Sequence, residues 1–247
     1  MKLSIITVTY NRFDVLESCL QSIAAQKQHL DFEYVLVDGN SNDGTTALLT
    51  RYSSIIDKLI IEPDSGIYEA LNKGILACSG DIIGFLHSDD VYENEMILAM
   101  IFQLFRVSPD VDVISGKTEL FDSSLNKKLR AFSSDRWRIF YFILGVMPPH
   151  CSTFIRKYVY QELGYFDQRF NSAADFDFFL RILIKKKFKI IQIEDVLIKM
   201  RAGGKSTLGW RSYIRTTKEI AFGLRKNKLF IAWPLLILRF LVKKVIR

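Results

Sequence analysis

Two rhythms alternate along residues 1–110. Short apolar runs of strand length are followed by stretches whose apolar residues recur three and four apart. Leu3–Thr9 is rich in β-branched residues and reads as a buried strand. After it, Asn11 is placed to cap a helix whose apolar face is Val15, Leu16, Cys19, Leu20 and Ile23. Tyr34–Val37 is the next strand and ends in a loop dense in turn formers, Asp38 to Thr45. Helix 46–52, strand 59–62, helix 68–78 and strand 81–86 complete the series. Alternation of this kind predicts βαβ units around a mostly parallel sheet flanked by helices, an α/β Rossmann-like fold.

Beyond residue 110 the rhythm loosens. Val111–Lys117 reads as a strand, 127–132 as part of an antiparallel excursion, 152–155 as an apolar segment after the loop 146–150, and 174–186 as an amphipathic helix with Phe178, Phe179, Ile182 and Leu183 on its apolar side. Residues 1–110 are therefore read as a nucleotide-binding half and 111–205 as an acceptor half of one domain, with 206–247 as a basic helical tail.

Charge sharpens that division. Of 247 residues, 34 are Lys or Arg and 27 are Asp or Glu, a net charge of +7. Residues 205–247 hold eleven Lys/Arg and one acid (Glu219), a net of +10, which leaves −3 for residues 1–204. A mildly acidic body with a basic tail points to a polyanionic partner, nucleic acid or anionic lipid. Within the tail, residues 229–242 are strongly apolar, but the uninterrupted run stops at Arg239 and contains Pro234. That is short of the roughly 20 residues a membrane span needs, so an amphipathic helix lying on the membrane surface is expected, with Arg239, Lys243, Lys244 and Arg247 near headgroups. The plainer alternative is a helix packed on the domain. Three scattered cysteines form neither a disulfide framework nor a zinc cluster, and the apolar start is too short for a signal peptide. Both favour a reducing, cytoplasmic setting.

In open parallel sheets, ligands bind beyond the carboxyl ends of the strands. The four strand ends here carry Thr9 to Asn11, Asp38, Glu62 to Asp64, and His87-Ser88-Asp89-Asp90. A single aspartate after a strand is ordinary turn chemistry. Carboxylates at three of four successive ends imply a divalent cation between them, its shell completed by substrate phosphates. No G-x-G-x-x-G follows the first strand, and the Gly204-Lys205-Ser206 run fails as a phosphate loop because Lys199 stands where the first glycine belongs.

Five ordered motifs carry a resemblance: SIITVTYN (4–11), LVDGNSNDGT (36–45), EPDSGIYEALNKG (62–74), GDIIGFLHSDD (80–90) and ADFD (174–177). Together they resemble family 2 glycosyltransferases, and among these the bacterial enzymes of surface polysaccharides such as colanic acid or O-antigen. The resemblance covers about residues 1–205. It implies a GT-A fold, a nucleotide-sugar donor (usually a UDP-sugar), Mg²⁺ or Mn²⁺, and inversion at the anomeric carbon. It implies that Asp38 accepts a hydrogen bond from the base, with Thr7 or Thr9 nearby, and that Asn11, Asp64, Gly66, Lys73 and Ser88 line the donor pocket. Lys73 has a plain alternative as a solvated helical lysine.

By the same resemblance Asp89 is the metal ligand. Asp90 either joins it or caps the helix that follows. His87 stands where the family usually has aspartate, and either touches ribose or phosphate or is a polar rim residue. Asp175 stands at the catalytic base, with Ala174 replacing the usual acidic neighbour. Asp177 either partly substitutes or begins the helix. His150 either meets the diphosphate or metal, or is a packed core histidine. The implied acceptor is a glycan, free or linked to a polyprenyl diphosphate at the inner face of the cytoplasmic membrane. Two rivals stand beside this reading: a sugar nucleotidyltransferase, whose glycine-rich loop after the first strand is absent, and a nucleic-acid-binding protein, for which no module is visible.

Overall fold

The computed structural model describes residues 1–203, 209–231 and 233–237. The tail residues Lys205, Arg239, Lys243, Lys244 and Arg247 lie outside them, as do residues 232 and 238–242 of the apolar segment read as a membrane-surface helix; of its described residues, Leu236 is buried in the core and Leu229 and Ile231 pack against it. The elements run β1 (Leu3–Thr9), α1 (Phe13–Lys27), β2 (Glu33–Asp38), α2 (Thr45–Arg51), β3 (Lys58–Ile61), α3 (Ile67–Ala77), β4 (Ile82–Phe85), β5 (Val91–Tyr92) and α4 (Ile97–Val107). They continue with β6 (Val113–Phe121), β7 (Lys128–Phe132), α5 (Ile139–Ile143), β8 (Thr153–Arg156), α6 (Lys157–Leu163), α7 (Ala174–Lys185), β9 (Ile190–Arg201), α8 (Gly209–Lys226) and α9 (Trp233–Ile237).

One sheet organises the chain, in the order β3-β2-β1-β4-β8-β6-β9-β5, with β7 on β6. The half built from β1 to β4 is parallel, as expected. The other half is mixed: β8 is antiparallel to both β4 and β6, whereas β9 lies parallel to β6. A βαβ crossover can only return a strand parallel to its predecessor. The switch at β8 comes from the irregular stretch 133–152, which returns the chain without that constraint.

The sheet is buried on both faces: its central strands are mostly apolar on each side of the pleat, and the polar exceptions within β1, Ser4 and Thr7, are buried with hydrogen-bond partners. In β1, Leu3 and Ile5 enter one core and Ile6 and Val8 the other; in β2, Tyr34 and Leu36 oppose Val35 and Val37. Helices α1 and α4 cover the first face, and α3, α6, α7 and α8 the second. Helix α7 departs from the amphipathic expectation. Phe176, Leu180 and Asp177 are buried with Phe178, Phe179 and Ile182, because α8 closes over its outer side. Asn11 does not cap α1. It adopts a left-handed φ of 51°, and Arg12 takes the N-cap position. The first-turn N–H of Phe13 is satisfied by Asp43 of the next loop instead, at 3.0 Å.

Candidate active site

Parallel pairing delivers the ends of β1, β2 and β4 to one rim, with Thr9 opposite Asp38. Asp38 is buried, and Ser41 donates to both its oxygens, through its N–H at 3.0 Å and through its hydroxyl. The carboxylate thus shapes the 38–45 loop. Asn11 serves the same loop: its side-chain carbonyl accepts the N–H of Asn42 at 2.9 Å, and its own N–H donates to Ser41 at 2.8 Å. Thr7, expected beside the nucleotide, is corrected to a structural role. It is buried and its hydroxyl donates to the carbonyl of Leu86 at 2.8 Å, tying β1 to the end of β4. The Thr9 hydroxyl, one pleat further along, is buried without a partner at the rim.

Gly39 and Gly66 are where backbone and site approach. A Cβ on Gly39 would lie 2.7 Å from Asp64 Oδ2 and 3.2 Å from the ring of Tyr10. Gly66 has a φ of 151°, which disfavours other residues, and faces open space. Burial raises the pKa of Asp64, and the negative charges of Glu69 and Asp38 push the same way. Lys73, expected at the donor, stands among acids here. It pairs with Glu62 (3.1 Å) and Glu69 (3.2 Å) and donates to the Pro63 carbonyl, so its charge is already balanced on α3.

The turn after β4 is closed by the N–H of Asp90 on the His87 carbonyl, at 3.0 Å, with Ser88 buried within it. The tightness of this turn sends the adjacent carboxylates in opposite directions. Asp89 stays 18% exposed and accepts Arg12 Nη2 at 2.8 Å. Asp90, the other residue expected at the metal, is buried. One oxygen accepts the Arg201 N–H at 3.2 Å and the other is buried without a partner. Burial, reinforced by the charge of Asp89, holds its pKa well above the usual carboxylate range. It caps no helix either, since α4 begins seven residues later.

Among the described residues no group of three or more His, Cys, Asp or Glu is arranged to hold a metal ion. What the site offers a divalent cation is the partly exposed carboxylate of Asp89. That fits an ion such as Mg²⁺ or Mn²⁺ whose remaining positions are phosphate oxygens and water. Arg12, which the sequence pattern did not single out, occupies one oxygen of that ligand.

Asp175 and Asp177 both lie in the first turn of α7, where the helix dipole favours acids. Two positions apart, they face different ways. Asp175 is half-buried and accepts the Tyr68 hydroxyl at 3.0 Å and the Phe176 N–H at 2.9 Å. Burial and the neighbouring Asp175 charge raise the Tyr68 pKa, which keeps it a donor. Asp177 is corrected from a substrate-facing residue to a structural one. It is fully buried and accepts Arg181 Nε (3.0 Å), Lys226 Nζ (2.9 Å) and Asn227 Nδ2 (2.9 Å). His150 is likewise a core residue, ringed by Phe85 (4.8 Å), Phe166 (5.5 Å) and Phe179 (5.8 Å). Its Nε2 is buried without a partner, and burial, with the charge of nearby His87, lowers its pKa to about 3. His87 is half-buried and its pKa is lowered by burial as well. Ring contacts from Tyr68 through Phe166 and His150 to His87 link the α7 carboxylate to the 87–90 turn.

Known proteins resemble this chain in sequence and in fold. The sequence profile of Glycosyl transferase family 2 matches residues 4–163. An uncharacterized glycosyltransferase of Mycobacterium tuberculosis (strain ATCC 25618 / H37Rv) is 31% identical over 188 residues, 72% of this chain and 67% of the relative. A PGL/p-HBAD biosynthesis glycosyltransferase of Mycobacterium bovis (strain BCG / Pasteur 1173P2) is 32% identical over 181 residues, 72% of this chain and 68% of the relative. Among solved structures, S. aureus TarS 1-349 in complex with UDP-GlcNAc superposes with a TM-score of 0.70 at 18% identity, covering 91% of this chain and 66% of that one. The mannosyltransferase PcManGT from Pyrobaculum calidifontis, in complex with GDP-Man and Mn2+, gives 0.67 at 20% identity, covering 95% and 66%. The chain spans about two thirds of the length of these structures.

Proposed function

This chain belongs to glycosyl transferase family 2, and from that premise we propose that it moves a sugar, with inversion, from a nucleoside-diphosphate sugar to a hydroxyl of a glycan acceptor. A UDP-sugar is the proposed donor, and a polyprenyl-diphosphate-linked glycan the proposed acceptor, in surface polysaccharide assembly. The proposed setting is the cytoplasmic face of the membrane. Relatives named as glycosyltransferases, and fold neighbours that hold UDP-GlcNAc or GDP-Man, support this reading. The observation that carries it is the different surroundings of the two α7 acids: Asp175 is partly exposed and accepts from the Tyr68 hydroxyl and the Phe176 N–H, whereas Asp177 is fully buried and accepts from Arg181 and Lys226.

Asp175 accepts the proton of the acceptor hydroxyl as that oxygen attacks the anomeric carbon. Tyr68 and the Phe176 N–H both donate to Asp175 Oδ1 and so fix the orientation of the carboxylate. The loop 38–45, braced by Asp38 and Asn11, and the Asp64–Gly66 segment form the floor on which the donor is oriented, and orientation supplies part of the acceleration. Arg12, placed beside Asp89, can pass its guanidinium to the diphosphate. A divalent cation bound at Asp89 would stabilise the leaving diphosphate as a Lewis acid.

The test is a panel of nucleotide sugars with Mg²⁺ or Mn²⁺, reading nucleoside diphosphate release. Asp89→Ala should lose metal-dependent donor binding. Asp175→Asn should keep donor binding and lose transfer. Release of pyrophosphate from a nucleoside triphosphate, or full transfer by Asp175→Asn, overturns the reading.

A further inference from the structure

Helix α8 carries large exposed apolar groups and exposed cations together on its solvent side. Its inner side belongs to the core: Ile220, Ala221 and Leu224 are buried together with Leu236 of α9. Its outer side leaves large apolar groups in water. Trp210 is 70% exposed, Ile214 and Phe222 are exposed, and beyond the helix Phe230 is 78% exposed and Trp233 half exposed. Between them stand the exposed cations Arg215, Lys218, Arg225 and Lys228. At 3.6 residues per turn, the helical members of this set fall within an arc of about 140°.

Among the described residues no acid pairs with these cations. Glu219 is the single acidic residue after 204, and it turns inward to accept the N–H groups of Asn171 (3.2 Å) and Ser172 (2.8 Å). Lys226 also turns inward, to Asp167 and Asp177. An ordinary solvated helix face would intersperse acids at i,i+4, and an ordinary core face would not carry four cations. Aromatic rings interleaved with lysine and arginine are the composition of a helix seated at a membrane interface, where rings enter the headgroup boundary and basic side chains reach phosphates.

We propose that the outer arc of α8, continued by Phe230 and Trp233, is a docking surface for an anionic lipid bilayer. Charge complementarity selects this occupant. A second copy of the same face would set cations against cations. So would the chain's own residues 238–247, which carry Arg239, Lys243, Lys244 and Arg247. The inner side of α8 holds the 171–172 backbone through Glu219, directly ahead of Asp175, so docking would fix the height of the catalytic carboxylate above the headgroups. This deepens the reading of a lipid-linked acceptor and, for its biological sense, rests on it; the lipid contact itself does not depend on that reading.

The experiment is flotation of the full chain with phosphatidylcholine vesicles and with mixed phosphatidylcholine–phosphatidylglycerol vesicles, alongside a duplex DNA binding assay. Binding to the mixed vesicles alone is expected. Arg215→Glu with Lys218→Glu, and separately Trp210→Ser with Phe230→Ser, should each lower the bound fraction roughly tenfold or more. Melting temperature and nucleoside diphosphate release without vesicles should stay at wild-type level, which separates docking from folding and catalysis. Absence of vesicle binding, undiminished binding by both double variants, or retention on DNA with no vesicle binding would each overturn the proposal. Loss of nucleotide release in the wild type, with flotation intact, would instead refute the functional reading and leave the docking surface standing.

Discussion

Two aspartates in one helical turn should fail in opposite ways when each is changed to asparagine. Asp177 accepts three hydrogen bonds in a fully buried site, two of them from cations. Removing one partner of a buried ion pair costs about 3–5 kcal/mol, because the remaining charge is left uncompensated. Here the lower end applies. Arg181 keeps the carbonyls of Leu163, Gly164 and Tyr165, and Lys226 keeps Asp167. A loss of about 3 kcal/mol lowers the melting temperature of a chain this size by about 6–12 °C. Asp175→Asn should leave the melt within a degree or two, since asparagine can still accept from Tyr68, yet reduce transfer about 10²–10⁴-fold. Differential scanning fluorimetry and a nucleotide-release assay on the same preparations read both quantities. A stable but inactive Asp177→Asn beside an unstable but active Asp175→Asn would refute the assignment of roles.

Tyr68→Phe removes the donor to Asp175 while keeping the ring against Phe166. It should lower kcat about tenfold at unchanged donor KM, the size of one hydrogen bond to a charged group; a change in KM alone would contradict a positioning role. Gly39→Ala places a methyl against Asp64 and Tyr10. Donor KM should therefore rise several-fold with little change in melting temperature, and steady-state kinetics over donor concentration reads it. His150 titrates at about 3 when folded and near 6.5 when unfolded. Between these values the unfolded chain binds the extra proton, so stability rises with pH and is lost on acidification below about 6.5, by up to about 1.4 kcal/mol per unit. Melting from pH 7.5 to 5.5 should consequently fall about 3 °C further in the wild type than in His150→Phe. The raised pKa of Asp90 works in the opposite direction but equally in both proteins, and equal slopes would refute the histidine account.

The parallel half of the sheet was legible because its strands are short, mainly apolar runs rich in β-branched residues and its turns are spelled in Gly, Asn and Asp. The long strand β9 was not. Its sequence, IIQIEDVLIKMR, places Gln192, Glu194 and Asp195 amid the apolar residues, and most of it is only partly buried, so neither period dominates. The candidate site divides in the same way. The strand ends located Asp38, Asp64 and Asp89 because position at a rim is a local property. Tyr68 and Arg12 escaped notice, since they meet their carboxylates across 107 and 77 residues. Asp177 did leave a signal: Arg181 follows it by four residues, the spacing of a helical ion pair, and that marks Asp177 as the occupied member of the pair.

The charge division suggested a domain ending near residue 205 with a tail beyond it; in the structure α8 of that tail holds the turn ahead of Asp175, the proposed base, and the buried Asp177. Without it, Asp177 loses Lys226 and Asn227, the N–H groups of Asn171 and Ser172 lose Glu219, and Phe170 and Phe176 lose the helix that covers them. Ile220 and Leu224 leave the core with it, at about 1.5–3 kcal/mol each. Together with the unpaired Asp177, the loss is about 6 kcal/mol or more, against a total stability of about 5–15 kcal/mol. A chain ending at residue 208 should therefore show no cooperative melt near that of the full chain, and circular dichroism on heating reads this directly. A truncated protein that melts cooperatively within a few degrees of the full chain would show that α8 only rests on the surface. The link drawn here from lipid docking to the catalytic carboxylate would then have no mechanical basis.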